Sequence, residues 1–261
     1  MEQNESTILF EGMTTLSALL NSTPDNQRRV REVLVDASKQ KSKAREISFL
    51  TYKAKELQFP IHLVSSEEIQ AMADGTTHGG ILARCTPRAI PTLTMSTLCS
   101  NGFYVYLDGI EDPYNFGYTV RSLYAAGVDG ILLPERNWMS TGGVVARASA
   151  GTSELVPLFT CPVETVGPTF HALGYRILCA GIRDSVSIFE EQFPLPVLLV
   201  IGGEKRGISR TLLDDADQVV RIDYGREFRG SLSSAAAAAV MAFEIFRQNR
   251  IRNEKKNSHS L

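Results

Sequence analysis

The chain has 261 residues, 43% of them apolar and 21% charged, and a formal net charge of -2 at pH 7. This length accommodates one large domain or two ordinary ones, and the composition is that of a soluble globular protein. The acidic start and the lack of ~18 consecutive apolar residues argue against a signal peptide and a membrane partner, so we predict a cytoplasmic protein. The four cysteines show neither C-x-x-C spacing nor the density of a secreted scaffold, which predicts reduced thiols and no metal site.

The first hundred residues alternate short apolar runs with charged helical stretches. The predicted elements are a strand at 33–35, a helix at 42–57, a strand at 61–64, a capped helix from Ser65 and a strand at 80–85. They predict a small α/β domain over residues 1–86. Pro87, Pro91 and the Thr/Ser-rich stretch that follows predict a linker over 87–101.

This N-terminal region also contains a basic segment. Nine basic and four acidic side chains lie between Gln27 and Glu56, which gives the segment a charge of +5. It predicts either a surface that attracts a polyanion or the solvated face of an ordinary helix.

From Phe103 the pattern becomes strand, glycine-containing turn and helix, repeated. Strands are predicted at 104–107, 130–133, 155–159, 176–180, 197–201 and 219–222. Continuous apolar runs are typical of parallel strands covered on both faces, so residues 102–248 are predicted to form a doubly wound α/β domain. An alanine-rich helix is predicted from Ser231 to Gln248, and the polar tail, 249–261, is predicted to fray.

Three segments follow predicted strands and could converge where open α/β domains bind ligands. The first runs from Asn115 to Arg121. If Asn115 lies in the loop before the helix, its amide and the Arg121 guanidinium can both face the strand ends, where an arginine suits a phosphate or an oxyanion. The alternative is that Asn115 caps the helix and Arg121 forms a surface ion pair.

The second segment, 202–207, places three glycines around Glu204, which permits close approach of the backbone to a ligand. It is not a P-loop, and no G-x-G-x-x-G follows a predicted strand. A plain turn with an incidental Glu204 is the alternative. The third segment, 230–235, opens the last predicted helix, where Ser231 can cap the helix or the amides of 232–234 can meet a polar ligand.

Together these segments resemble the signature motifs of the SpoU/TrmH family, the RNA ribose 2′-O-methyltransferases of the SPOUT superfamily. The matched positions are Asn115, Gly117 and Arg121 in N-x-G-x-x-x-R, Gly202, Glu204 and Gly207 in G-x-E-x-x-G, and Ser231, Leu232 and Ser233 in the Ser-Leu-polar motif. The N-terminal region, with Thr77-His78-Gly79, is similar to the ribosomal-protein-like substrate-binding domain of this family, in which His-Gln-Gly is usual.

The resemblance implies a trefoil knot in the C-terminal domain and a homodimer. It implies S-adenosyl-L-methionine as the cofactor and a ribose 2′-hydroxyl of ribosomal or transfer RNA as the methyl acceptor. The residues implied in cofactor binding are Ala180, Gly181, Ile201, Gly202, Gly203, Ile222 and Leu232. The residues implied in catalysis are Asn115, Arg121, Glu204 and Ser233.

The family assigns activation of the hydroxyl to the arginine matched by Arg121. Arginine is a poor general base because its pKa stays above ~12. We therefore expect Arg121 to hold phosphate and hydroxyl and to stabilise developing negative charge. Asn115 is expected to position Arg121 or the ribose, and Glu204 to order the loops around the methyl donor.

Two departures from the family pattern fall near the expected cofactor pocket. Ser233 stands where asparagine is usual, and Asp223-Tyr224 stands where Pro-Met is usual. Ser233 favours a rival hypothesis, a weak or inactive RNA-binding or ribosome-assembly protein that retains the fold, whereas the intact Arg121 disfavours it. A nucleotide-binding oxidoreductase also fits the doubly wound pattern, but its glycine fingerprint is absent.

Overall fold

The computed structural model describes residues 7–22, 28–135 and 142–258, with side chains through Ile251. The described chain forms two compact units, one of residues up to 89 together with 142–155, and one of residues 90–135 and 156–258. Residues 142–155 lie inside the stretch assigned to the C-terminal domain from sequence. The domain boundaries drawn from sequence stay predictions.

The first unit contains a four-stranded sheet with the order β1-β4-β2-β3. Its elements before residue 90 are β1 (Ile8–Glu11), α1 (Met13–Leu20), β2 (Val30–Asp36), α2 (Ala44–Leu57), β3 (Ile61–Val64), α3 (Ser66–Met72) and β4 (Ile81–Cys85). β4 is antiparallel to both β1 and β2, and β3 is parallel to β2.

The predicted cap of α3 is present. Ser65 Oγ accepts a hydrogen bond from Glu68 N at 3.2 Å, and the Glu68 carboxylate accepts one from Ser65 N at 2.8 Å. β1 and α1 were not predicted, because a four-residue strand and an eight-residue helix carry too little periodicity to recognise. Phe10 and Leu16 from these two elements are nevertheless part of the buried core.

The second unit is built on a seven-stranded parallel sheet with the order β7-β6-β5-β10-β8-β11-β9. Its strands are β5 (Phe103–Asp108), β6 (Gly130–Leu133), β7 (Leu158–Thr160), β8 (Arg176–Ala180), β9 (Ser185–Ser187), β10 (Val197–Gly202) and β11 (Gln218–Arg221). The helices from residue 113 onward are α4 (Pro113–Ala125), α5 (Gly142–Ala148) of the first unit, α6 (Val163–Ala172), α7 (Arg210–Asp214) and α8 (Ser234–Ser258).

The central strands of this sheet are buried on both faces. Tyr104 and Tyr106 pack in one cluster with Phe170 of α6, while Val105 and Leu107, which point to the opposite face, are equally buried. α4 packs against α8, and α8 packs against β10. The predicted α/β architecture with a parallel sheet is confirmed, and the trefoil knot stays a prediction.

Several predicted bounds in this unit are wrong. β7 begins at Leu158 and not at Leu155, because Leu155 N closes a 3₁₀ turn on Thr152 O at 3.0 Å. β9, with only three residues, was not predicted. The last helix spans Ser234–Ser258, and its tail does not fray at Asn249, whose side-chain amide donates to Phe193 O at 2.9 Å.

Candidate active site

The carboxyl ends of β5, β10, β8 and β11 lie side by side, since these four strands are neighbours in a parallel sheet. Gly202 at the end of β10 is in register with Asp108 at the end of β5. Asp108 is hydrogen-bonded to the segment that follows β10. Its carbonyl accepts a hydrogen bond from Gly203 N at 2.7 Å, and its carboxylate accepts one from Ser209 N at 2.6 Å. The segment after β10 is thereby fixed against the end of β5.

A cavity of about 250 Å³ lies at the ends of β8, β10 and β11 and is bounded by the start of α8. All seven residues predicted to bind the cofactor line it: Ala180, Gly181, Ile201, Gly202, Gly203, Ile222 and Leu232. Tyr224, Ser231 and Met241 also line it. The lining combines apolar side chains with glycine backbone, which suits a ligand that has both apolar and hydrogen-bonding faces.

The glycines of the second segment are required by close packing of backbone on backbone. A Cβ atom on Gly202 would lie 2.6 Å from Ile208 N, and one on Gly203 would collide with the backbone of Gly109. Gly207 has a φ of +66°, which side chains other than glycine rarely adopt. This glycine pattern therefore builds a tight loop in which the cavity wall at Gly202 and Gly203 is bare backbone.

A second cavity, of about 300 Å³, lies beside the first. Its lining consists of residues 109–113 together with Asn115, Glu204, Lys205 and Ser234. Glu204 and Ser234 line both cavities, so they form a shared wall. Ser234 Oγ fixes this wall to the sheet by donating to Gly202 O at 2.9 Å.

Asn115 contacts the shared wall directly. Its Nδ2 donates a hydrogen bond to Glu204 Oε1 at 3.0 Å. The suggestion that Asn115 precedes or caps the helix is wrong, since Asp112 is the cap and its carboxylate accepts from Asn115 N at 2.7 Å. Pro113 takes the first helical position, where it is favoured. Asn115 is therefore the third residue of α4, and its side chain is left to reach Glu204.

Arg121 is not brought to either cavity of its own chain. It lies on α4 six residues after Asn115, which turns it ~120° away around the helix. Its side chain is exposed, and no residue in the described part of the chain forms an ion pair or hydrogen bond with it, so the alternative of a surface ion pair finds no support there.

The third segment begins α8 later than predicted. Ser233 Oγ, not Ser231, accepts from Ala236 N at 3.3 Å and so caps the helix. Leu232 N donates to Tyr224 Oη at 3.3 Å and is not available to a ligand in this arrangement. Ser233 itself lines neither cavity, while Ser231 and Leu232 line the first.

Sequence reasoning missed Asp112 as the helix cap and, although it named the Ser234 amide, missed the role of the Ser234 hydroxyl. The Asp-Pro pair ahead of a helical stretch was a usable signal for the cap. Ser234 had no distinguishing signal within a run of serines and alanines. Tyr224 was noted as a departure from the family pattern, but its position in the cavity lining depends on how the loop folds back.

Cysteine chemistry is disfavoured beneath the site. Burial, together with the nearby carboxylates of Asp108 and Asp215, raises the pKa of the Cys179 thiol to about 12. Burial also raises the pKa of the Cys161 thiol. Since the thiolate is the nucleophilic form, neither residue is suited to act as a nucleophile near neutral pH.

Residues 102–243 match the family model described as "SpoU rRNA Methylase family". This chain belongs to the SpoU rRNA methylase family. The family predicted from the three motifs is thus confirmed. Residues 9–91 of this SpoU methylase match a second model, "RNA 2′-O ribose methyltransferase substrate binding".

Curated relatives and solved structures resemble the SpoU methylase over nearly its whole length. The 23S rRNA (guanosine-2′-O-)-methyltransferase RlmB of Pasteurella multocida is 28% identical, covering 91% of this chain and 96% of the relative. The enzyme of the same name from Shewanella oneidensis is 27% identical, and the match covers 93% of this chain and 98% of the relative. The structure of an AdoMet-bound rRNA methyltransferase from Sinorhizobium meliloti has the same fold, with a TM-score of 0.75 at 21% identity, covering 92% of this chain and 87% of that one.

The described residues of this chain lack two features. They contain no group of three or more His, Cys, Asp or Glu side chains arranged to hold a metal ion. None of their helices is both long and apolar enough to cross a membrane.

Proposed function

We propose that this chain transfers a methyl group from S-adenosylmethionine to a ribose 2′-hydroxyl of ribosomal or transfer RNA. The observation that carries the proposal is the pair of adjacent cavities with a shared wall at Glu204 and Ser234. Direct transfer requires donor and acceptor to be held in line at short range. Two sites separated by one layer of side chains meet this requirement.

The first cavity is assigned to the cofactor. S-adenosylmethionine supplies an electrophilic methyl group on its sulfonium when bound. Ile201, Ile222 and Leu232 provide apolar contact for an adenosine, and the backbone at Gly202 and Gly203 can approach it closely because no side chain intervenes.

The second cavity is assigned to the target nucleotide. Since Asn115 Nδ2 is already bonded to Glu204, its Oδ1 is left to accept a hydrogen bond from a ribose hydroxyl. Glu204 holds the Asn115 amide in this orientation and orders the loop after β10. Ser233 contributes indirectly, by capping the helix whose first residue is Ser234.

We further infer a homodimer, in which Arg121 serves the site of the partner. Tyr114, Tyr118 and Tyr124 are exposed on α4, and Phe243 and Phe246 are exposed on the packed neighbour α8. Such a cluster of aromatic side chains on two adjacent helices is typical of a contact surface. A dimer through this surface would carry Arg121 of each chain toward a second copy, where it could stabilise the negative charge that develops on the hydroxyl oxygen.

The N-terminal unit is assigned to RNA binding. Two lysines of its basic segment are paired, Lys43 at the start of α2 with Glu46 and Lys53 within α2 with Glu56, each at 3.0 Å. Other basic side chains of the segment, such as Lys39, Lys41 and Arg45, remain exposed. They can contact phosphates without reading sequence. A cytoplasmic location, where ribosomal and transfer RNA are modified, is part of this proposal.

The test is methyl transfer from radiolabelled S-adenosylmethionine to total RNA of a strain that lacks the gene. Label at ribose 2′-O positions is expected with the unaltered protein and with Arg210→Ala, an exposed arginine outside both cavities. Arg121→Ala is expected to incorporate little label. Calorimetric binding of the cofactor without incorporation by the unaltered protein would contradict the proposal and support an RNA-binding protein that retains the fold.

A further inference from the structure

The loop between β11 and α8 carries two aromatic rings at the edge of the first cavity. The rings of Tyr224 and Phe228 have centroids 5.6 Å apart with planes inclined by 59°. Tyr224 lines the cavity, whereas Phe228 faces outward with 56% of its surface exposed. An exposed phenylalanine beside a ligand cavity is unfavourable in water unless something covers it.

Several contacts hold the two rings in place. Tyr224 Oη accepts from Leu232 N at 3.3 Å, which ties its ring to the residue just before α8. The Phe228 ring lies over Gly230, where an added Cβ would come 2.6 Å from the ring. Asp223 is anchored by Arg221 Nε at 2.8 Å. The rings are therefore a preformed surface and not a loose apolar side chain.

Two arginines lie close to Phe228 in the sequence of this loop. Arg226 and Arg229 are both exposed, and neither forms an ion pair or hydrogen bond with any residue that the structure describes. An exposed aromatic ring on a loop that also carries exposed arginines is a combination that binds unpaired nucleotides, because the ring stacks on a base while the cations contact the backbone phosphates.

We propose that Phe228, supported by Tyr224 and aided by Arg226 and Arg229 of the same loop, stacks on an unpaired base of the RNA substrate. The proposal rests on the proposed function, since it takes RNA as the substrate. It adds a requirement that the target lie in a single-stranded or unstacked stretch, because a base inside a helix offers no free face to the ring.

Binding of fluorescein-labelled 12-nucleotide RNA oligomers, oligo(A) and oligo(U), by the full chain tests this platform through fluorescence anisotropy. Phe228→Leu keeps an apolar side chain but removes the ring, so the dissociation constant for oligo(A) is expected to rise roughly tenfold. Phe228→Tyr is expected to bind as the unaltered protein does. The double variant Arg226→Gln/Arg229→Gln is expected to reduce the slope of log affinity against log salt by about 1.4 units, whereas Phe228→Leu leaves that slope unchanged.

Equal affinity of Phe228→Leu and the unaltered protein would overturn the proposal, as would a lack of binding of either oligomer to the unaltered protein. A loss of cofactor affinity in Phe228→Leu, measured by calorimetry, would also overturn it by assigning the ring to the first cavity. Thermal unfolding controls for the fold of each variant. Failure of methyl transfer by the unaltered protein is a separate result and concerns only the proposed function.

Discussion

Asn115 and Glu204 meet at the wall between the two cavities, so a change in Asn115 should affect transfer more than cofactor binding. We expect Asn115→Ala to lower kcat about 100-fold, because the acceptor hydroxyl loses a positioning partner. Its affinity for S-adenosylmethionine should stay within about twofold, since Asn115 lines only the second cavity. Single-turnover methyl transfer and calorimetry measure the two quantities, with Asn101→Ala, an exposed asparagine outside both cavities, as the matched control. An equal loss in both quantities would assign Asn115 a structural role.

Ser233 is tested by two substitutions that differ in capping ability. Ser233→Ala should lower the free energy of unfolding by about 1 kcal/mol, because Ala236 N loses its acceptor. Ser233→Asn keeps a good cap and restores the usual family residue, so its stability should stay within about 0.5 kcal/mol of the unaltered protein. Urea denaturation measures both. Equal destabilisation by Ser233→Ala and Ser233→Asn would show that the Ser233 hydroxyl stabilises the protein through a contact other than the cap of α8.

At this scale the sequence predicted which backbone segments line the cavities better than it predicted where single side chains lie. The glycines and Glu204 could be predicted because a tight loop after a buried strand depends mainly on local residue types. The direction of Arg121 could not, since it depends on where α4 begins, and that is decided by the Asp112 cap. Because the Asp112 cap was not recognised, the predicted surroundings of Arg121, about two turns further along α4, were wrong.

Among the elements, the turn into β4 depends on the absence of a side chain at Gly80. Gly80 has a φ of +79°, and an added Cβ would lie 2.9 Å from Asp36 Cβ. We expect Gly80→Ala to destabilise the protein by more than about 1 kcal/mol. Gly174→Ala is the matched control, because Gly174 has a φ of +74° but open space around it. Urea denaturation of both variants separates the effect of the close contact with Asp36 from the effect of backbone strain. Equal losses of unfolding free energy in the two variants would show that the contact is unimportant.

Asp36, the last residue of β2, should make the free energy of unfolding depend on pH in the acid range. Hydrogen bonds from Ser38 and Ser66 lower the pKa of the Asp36 carboxyl below its ordinary 3.8. Because the carboxyl has a lower pKa in the folded protein than in the unfolded chain, its ionised form stabilises the fold. This stabilisation is fully present above the pKa of the unfolded chain and is lost as the pH falls through the pKa of the folded protein. The stability difference between the unaltered protein and Asp36→Asn should therefore shrink between about pH 5 and about pH 3.

Urea denaturation at a series of pH values measures that difference. Glu67→Gln, an exposed carboxylate in the first turn of α3, is the control. A difference that does not change with pH would show that the Asp36 hydrogen bonds do not favour its ionised form.

Elements with a clear apolar run and a turn signal could be predicted, and those without such local signals could not. β6 and β8 have the bounds expected from sequence, because each is an apolar run ended by a turn. β9 is a three-residue strand that exists through pairing with β11, a tertiary contact with no local signal. The last helix extends past Gln248 because Asn249 bonds to Phe193 and Leu195, which are distant in sequence.

At the scale of the whole molecule, the proposed dimer makes a prediction about mixed subunits. If Arg121 acts on the partner's site, a purified heterodimer of Arg121→Ala and Glu204→Ala contains one intact site, made from Glu204 of one chain and Arg121 of the other. It should show about half the activity of the unaltered dimer, while each homodimeric variant is nearly inactive. Co-expression with two different tags yields the heterodimer, and methyl transfer measures it. A heterodimer as inactive as its parents would place Arg121 in its own chain's site.

The order of the whole sheet could not be read from periodicity. The alternation of strands and helices predicted a parallel sheet, and the motif combination predicted the family. The adjacency of β5 with β10, which brings Asn115 to Glu204, depends on crossovers that no local pattern encodes. The resemblance to a known family supplied what residue patterns alone lacked.

The wall formed by Glu204 and Ser234 also has a thermodynamic consequence. A ligand in one cavity that restricts the motion of Glu204 and Ser234 lowers the entropy cost of binding a ligand in the other cavity. Occupancy of one cavity should therefore change affinity in the other, and by linkage the factor must be the same in both directions. A spent cofactor and a methylated RNA would then increase each other's retention by that same factor, which makes the joint retention of the two products depend on two side chains.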